Sequence, residues 1–163
     1  MKKFLTIMLM MLLCISVSSC ESKQEPEVSI GNPFTEVKTI EEAEKLAGFT
    51  INLPKENFVD NSDVQIKVIK DELIEVSYHG SEKWLVIRKG LDKGEEDISG
   101  DYNEYPEQIT NFVNGRDFIF RGQDGKINVV TWKEGDYIYS VNINPGGIGI
   151  DYDVVIQMLS QIK

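Results

Sequence analysis

Residues 109–143 read ITNFVNGRDFIFRGQDGKINVVTWKEGDYIYSVNI, and three short marks divide them: Asn114-Gly115, Asp124-Gly125 and Glu134-Gly135. Asn-Gly and Asp-Gly supply the positive φ that tight hairpin turns demand, because glycine has no Cβ to clash and Asn and Asp tolerate the left-handed region. The runs they separate are Ile109 to Val113, Asp117 to Arg121, Ile127 to Lys133 and Tyr137 to Ile143. All are rich in β-branched and aromatic residues, so the stretch predicts four strands in a consecutive antiparallel meander.

Three more β-patterned runs lie upstream. Val64, Ile66 and Val68 share one face, Ile74, Val76 and Tyr78 share another, and Trp84 to Ile87 is apolar throughout, with Asp71-Glu72 and Gly80-Ser81 as punctuation. Phe49, Ile51 and Leu53 alternate with Thr50 and Asn52 before Pro54, which describes a short edge strand or a terminating extended segment. A helix is expected at each end. Thr39-Ile40-Glu41-Glu42 is a capping-box pattern, followed by an apolar stripe of Ile40, Ala43, Leu46 and Ala47 that Gly48 ends. After Pro145 to Gly149, Asp151 can cap a helix whose Val155, Met158, Leu159 and Ile162 fall at i, i+3, i+4 and i+7. The expectation is an α+β fold: a curved antiparallel sheet, a meander of about 7 to 8 strands, with both helices packed on one face.

The chain of 163 residues suits one such domain, and its 41% hydrophobic content excludes collagen-like and wholly disordered classes. Two lysines, an apolar run of fourteen residues from Phe4 to Val17 and then Ser18-Ser19-Cys20 form a secretory-signal layout. The run falls short of the roughly 17 to 25 residues that span a bilayer. Val17-Ser18-Ser19-Cys20 resembles the bacterial lipobox, which makes Cys20 the expected lipidation site and a diacylglyceryl group the expected membrane anchor. The organisation expected is residues 1–19 as a lipoprotein signal peptide, 20–35 as a flexible tether containing Pro26, Gly31 and Pro33, and 36–163 as the domain. Removing residues 1–19 takes away Lys2, Lys3 and Cys14 and moves the formal charge from -10 to -12. Nucleic acid is excluded as a partner by that charge, and cysteine-based zinc or thiol chemistry by the absence of any other cysteine.

His79 is the only histidine and sits at a strand end, where no motif supplies partners for a zinc site or a catalytic triad. Pro145-Gly146-Gly147-Ile148-Gly149 lacks the lysine of a phosphate loop, and Asp151 and Asp153 would repel the phosphate. Trp84, Trp132, Tyr137 and Tyr139 read as core aromatics or as the lining of a carbohydrate groove. The segment from Asp92 to Glu107 is the most suggestive. It carries seven carboxylates against Lys93 alone. Asp97, Asp101, Tyr102, Asn103 and Tyr105 make up a candidate binding loop: the oxygens suit calcium, although the spacing is not that of an EF-hand, and the tyrosines among carboxylates suit a cationic partner. A solvated loop is the simplest alternative, and no metal or cofactor is expected.

Several runs also carry a family resemblance. Thr39 to Phe49, Ile87-Arg88-Lys89-Gly90 leading into Asp97-Ile98-Ser99-Gly100-Asp101-Tyr102, Val113-Asn114-Gly115, and Thr131-Trp132 through Tyr137-Ile138-Tyr139-Ser140 resemble domain of unknown function 4367, over roughly Thr39 to Ile162. That resemblance implies an extracytoplasmic bacterial α+β domain and brings no catalytic residues with it. The function expected is a non-catalytic binding or sensing module, lipid-anchored on the extracytoplasmic side of the cell membrane, with a protein or glycan partner. A cell-envelope hydrolase using carboxylates and a structural component of an envelope complex are the alternatives.

Overall fold

The computed structural model describes residues 31–60, 62–113 and 115–162, all but Gly31 within the unit Asn32–Lys163. The expected signal segment and Cys20 lie outside the described residues. Among the described residues nine strands and two helices follow in order: β1 (Thr35–Val37), α1 (Ile40–Ala47), β2 (Asp63–Ile69), β3 (Leu73–His79), β4 (Trp84–Leu91), β5 (Glu107–Val113), β6 (Arg116–Gln123), β7 (Lys126–Glu134), β8 (Tyr137–Ile143), β9 (Ile150–Asp151) and α2 (Tyr152–Leu159). Asp124 and Gly125 both have positive φ, at 54° and 70°, between β6 and β7, and Gly115 has φ 85° between β5 and β6. Those are the conformations that the Asp-Gly pair and the glycine of the Asn-Gly pair predict, and Asn114 itself lies outside the described residues.

All pairings are antiparallel. The sheet order is β1-β2-β3-β4-β8-β7-β6-β5, with β9 added beside β7. It is an open sheet of two meanders, and the second is docked in reverse: β4 pairs with β8 through Leu85↔Ile143 to Leu91↔Tyr137, leaving β5 at the far edge. The connection from β4 to β5 must therefore cross four strand spacings, about 19 Å at roughly 4.8 Å each. Residues 92–106, the acidic segment, are that crossing.

Register splits the strands cleanly into two faces. On the first, Ile66↔Val76, Val76↔Ile87, Ile87↔Val141, Val141↔Val130 and Val130↔Phe120 run as one row across six strands. These residues join one buried apolar cluster that also takes in Ala43 and Ala47 of α1 and Val155, Met158 and Leu159 of α2. Each fully buried Val, Leu, Ile or Phe contributes about 1.5–3 kcal/mol, so this cluster is the main source of stability. On the second face the corresponding row is Lys67↔Glu75, Glu75↔Arg88, Arg88↔Ser140, Ser140↔Thr131 and Thr131↔Ile119, which is mostly polar.

Three local expectations are corrected. Phe49 to Leu53 is not a strand, because both sheet edges are taken elsewhere and the segment is drawn over the apolar cluster instead. Phe49 packs on Tyr137 at 5.0 Å, the Ile51 amide donates to Glu44, and the Lys89 ammonium donates to the Thr50 carbonyl at 2.7 Å. Lys89 sits 4.2 Å from the Tyr137 ring centroid and 5.1 Å from that of Tyr139, and its burial, only partly countered by Glu134 and Glu44, lowers its pKa. Asp151 occupies the N-cap position of α2 but makes no capping bond, since its carboxylate accepts from Lys126 at 2.6 Å. Finally, β4 continues past Ile87 to Leu91, so Arg88, Lys89 and Gly90 are strand residues. The N-terminal helix behaves as its sequence predicts: Thr39 accepts from the Glu42 amide, Glu42 accepts from the Lys38 amide, and Gly48 donates to Glu44.

Candidate functional site

The crossing segment lies on the polar face and is pinned there from both ends. Lys93 pairs with Glu72 at 2.6 Å and Lys133 with Asp92 at 2.8 Å, where the loop leaves β4. The pairing with Lys133 and the Gly94 amide lowers the pKa of the Asp92 carboxyl. In the middle, Arg88 uses one nitrogen to donate to the Ile98 carbonyl at 2.8 Å, while its Nε and other terminal nitrogen hold Glu75 at 2.8 and 2.6 Å. Gly100 has φ 69° directly above this guanidinium, and a Cβ there would collide with it. Both the backbone conformation and the close approach call for glycine.

The expected binding residues are mostly occupied with one another. Asp97 accepts from the Ser99 amide and hydroxyl, at 2.7 and 3.0 Å, and pairs with Arg121 of β6. Asp101 accepts from the Asn103 amide and side chain, at 2.9 and 2.6 Å, and from the Tyr105 hydroxyl at 2.7 Å. The Asn142 side chain of β8 donates to it as well. Burial works to raise the Asp101 pKa, but these donors together outweigh burial and hold it below the ordinary value. Tyr105 moves the other way, to about 12, because burial and the neighbouring Asp101 carboxylate both disfavour its phenolate. Tyr102 is 96% exposed and belongs to neither network. So Asp97, Asp101, Asn103 and Tyr105 come together as a self-bonded knot tied to the sheet, and Tyr102 stands apart. Among the described residues no group of three or more His, Cys, Asp or Glu side chains is arranged to hold a metal ion.

The pinned loop divides the polar face into two hollows. The larger, of about 940 Å³, lies toward the β5 edge and is walled by Gln108, Thr110 and Phe112 of β5, Ile119 of β6, Thr131 of β7 and Glu96 of the loop. Phe112 is 73% exposed there. The smaller, of about 190 Å³, lies on the other side, among Lys67, Glu75, Ser77, Trp84, Asn142 and the loop residues Ser99 and Gly100. The four large aromatics are thereby separated. Trp132 and Tyr139 stack at 4.7 Å within the apolar core and Tyr137 is half-buried against Phe49, whereas Trp84 lines the small hollow with its ring 4.7 Å from that of His79.

Sequence reasoning missed the polar row of the sheet itself. Glu75 is 6% exposed and Asn142 4%, and nothing in either residue's immediate neighbours announces a site. The alternation was the available signal: Glu75 and Ser77 interleave with Ile74, Val76 and Tyr78, and Arg88 follows Ile87. Among the described residues no helix is long and apolar enough to cross a membrane. No protein-family model matches this chain, and no curated protein and no solved structure matches it.

Proposed function

We propose that this chain is a non-catalytic binding or sensing module, held outside the cytoplasmic membrane by a lipid on Cys20, and that it binds through the polar face of its sheet. The observation that carries the reading is the division of labour between the faces: one is filled by an apolar cluster, while the other is bridged by a single pinned loop with an open hollow on each side. Both helices, in this reading, cover the same face, since α1 and α2 contribute to the same buried cluster. The polar face is then the one left for a partner.

The reading is non-catalytic because four carboxylates around the polar face are committed to basic partners. Glu75 is bound to Arg88, Asp97 to Arg121, Glu134 to Arg116 and Asp92 to Lys133. A carboxylate held by a guanidinium is a poor general acid or base near neutral pH. The lipid anchor rests on the signal layout and Val17-Ser18-Ser19-Cys20, and kinship with domain of unknown function 4367 on the resembling runs. Two acyl chains give stable attachment where one gives only marginal binding.

The test is amide hydrogen exchange of the intact protein in its native envelope fraction, compared with the purified protein in buffer, alongside fractionation of Cys20→Ser. Slowed exchange confined to residues 92–106 and to the strands of the polar face is expected, with Cys20→Ser released from membranes. Exchange that is unchanged, or slowed only in α1 and α2, would defeat the binding reading, and a Cys20→Ser protein still membrane-bound after a high-salt wash would defeat the anchor.

A further inference from the structure

The small hollow contains a buried acceptor with nothing to accept. Asn142 is 4% exposed and its Oδ1 has no hydrogen-bond partner. Its orientation is fixed by chemistry: the amide donates to Asp101, and a carboxylate can only accept, so the NH2 group must face Asp101 and the oxygen must face away from it. An orphaned buried carbonyl is destabilising, and a donor brought to it relieves that cost.

The surroundings define what that donor belongs to. Trp84, 38% exposed, presents an indole at the rim of the hollow, and His79 packs against it at 4.7 Å. The Ser77 hydroxyl donates weakly to Glu75 at 3.4 Å, and Lys67 approaches Glu75 only to 3.8 Å, so its ammonium retains donors for a ligand oxygen. Arg88 and Glu75 cancel each other's charge within the hollow. An anionic ligand would meet the field of a chain with formal charge -10, and a cationic one would meet the loosely held Lys67 ammonium. What remains is a neutral group that carries hydroxyl donors and acceptors on its edge and a flat C–H face for the indole, in a space of about 190 Å³. That is the description of a single saccharide ring.

We infer that the hollow between Trp84 and Asn142 binds one neutral sugar unit of a glycan, with a sugar hydroxyl donating to Asn142 Oδ1, a ring oxygen or second hydroxyl accepting from Lys67, and the ring packed on Trp84. The assignment rests on the polar face being the binding face, and it narrows that reading to one hollow and one ligand class. The large hollow beside Phe112 takes no part in it.

The experiment is a titration of the intact protein with glucose, galactose, mannose, N-acetylglucosamine and N-acetylgalactosamine, each as the free sugar and as an oligosaccharide. Tryptophan fluorescence is the readout, because Trp132 is 2% exposed and the response reports on Trp84. At least one probe should give saturable binding with Kd on the order of 1 mM, weakened about tenfold or more by Trp84→Ala and by Asn142→Leu and unaffected by Phe112→Ala. Chemical-shift changes read by NMR replace fluorescence for Trp84→Ala, and thermal denaturation confirms that each variant is folded. Saturable binding by none of these probes overturns the assignment, as does binding that survives Trp84→Ala or is lost in Phe112→Ala. If the sugars fail while envelope material still protects the polar face from exchange, the sugar assignment falls alone. If that protection is also missing, the binding-face reading falls with it.

Discussion

The two faces of this sheet come from the same strands, residue by residue in alternation, yet they are held by different physics. On one, Ile74, Val76, Leu85, Ile87, Phe120, Val130, Val141 and Ile143 are fully buried and belong to one apolar cluster. On the other, Arg88 and Arg121 meet a loop through a carbonyl contact and an ion pair, with Glu75 and Lys67 paired beside Arg88 in the sheet. Apolar burial is non-directional and cumulative, so the first face supplies stability and tolerates little loss of volume. Ion pairs at a partly open surface add little net stability but fix geometry, so the second face holds a loop in one position. A protein that must keep one surface available for a ligand gains from placing nearly all of its folding energy behind the other.

That contrast predicts a large asymmetry in mutational cost. Phe120 is fully buried on the apolar face, and Phe120→Ala should cost about 3–5 kcal/mol, through lost transfer energy and the cavity left behind. Thr110, exposed on the polar face of β5, should change stability by less than about 0.5 kcal/mol when replaced by Ala. Urea denaturation of the two variants checks this, and comparable shifts in midpoint would erase the distinction between the faces.

The next effect concerns a buried ion pair on the polar face. Glu75→Gln leaves Arg88, whose side chain is only 19% exposed, without its counter-charge. A fully buried pair broken in this way costs about 3–5 kcal/mol; with the guanidinium partly solvated and still donating to Ile98, about 2 kcal/mol is expected. The double variant Glu75→Leu with Arg88→Met should be less destabilised than Glu75→Gln alone, because it removes both charges together. A double variant worse than the single would mean that Arg88 contributes through its hold on the loop rather than through charge compensation.

How much of this was legible in the sequence follows from which interactions are local. Turns at Gly115 and at Asp124-Gly125, the cap at Thr39 and the burial of Val155, Met158, Leu159 and Ile162 depend on residues within a few positions, and each is found. The docking of β8 beside β4 is a choice between sheet edges made by tertiary contacts, and no local pattern encodes it. β1 has only three residues, Thr35 to Val37, too few for alternation to be seen. Charge counting singled out the acidic loop correctly as unusual, but not the reason. Its carboxylates look unmatched when counted along the chain, whereas Arg121 and Lys133, which neutralise Asp97 and Asp92, come from strands that only the reversed meander brings beneath them. The same blindness hid Asn142, whose significance lies in Asp101 occupying one end of its amide.

The smallest effect expected belongs to that loop, and it decides whether the knot around Asp101 is architecture or a cation site. The Asp101 pKa is lowered in the folded protein from the ordinary aspartate value, so its contribution to stability is complete above about pH 4 and is lost as pH falls through the lower folded value. Asp101→Asn should therefore reduce stability by about 1 kcal/mol near neutrality, from weakened bonds to Tyr105, Asn103 and Asn142, and should flatten the acid limb of the stability curve. Asp92, lowered by Lys133, adds to that limb with the same sign and remains in the variant. Calcium should do nothing specific. The carboxylates of Asp97 and Asp101 already accept from seven groups between them, and millimolar calcium is expected to shift thermal stability no more than sodium chloride at equal ionic strength. A saturable calcium stabilisation, rising as RT ln(1 + [L]/Kd) to about 2.7 kcal/mol at a hundredfold excess over Kd and absent from Asp97→Asn with Asp101→Asn, would turn the knot from a fastening into a metal site. It would also make the polar face the second source of folding energy, which is the point on which the contrast between the faces stands or falls.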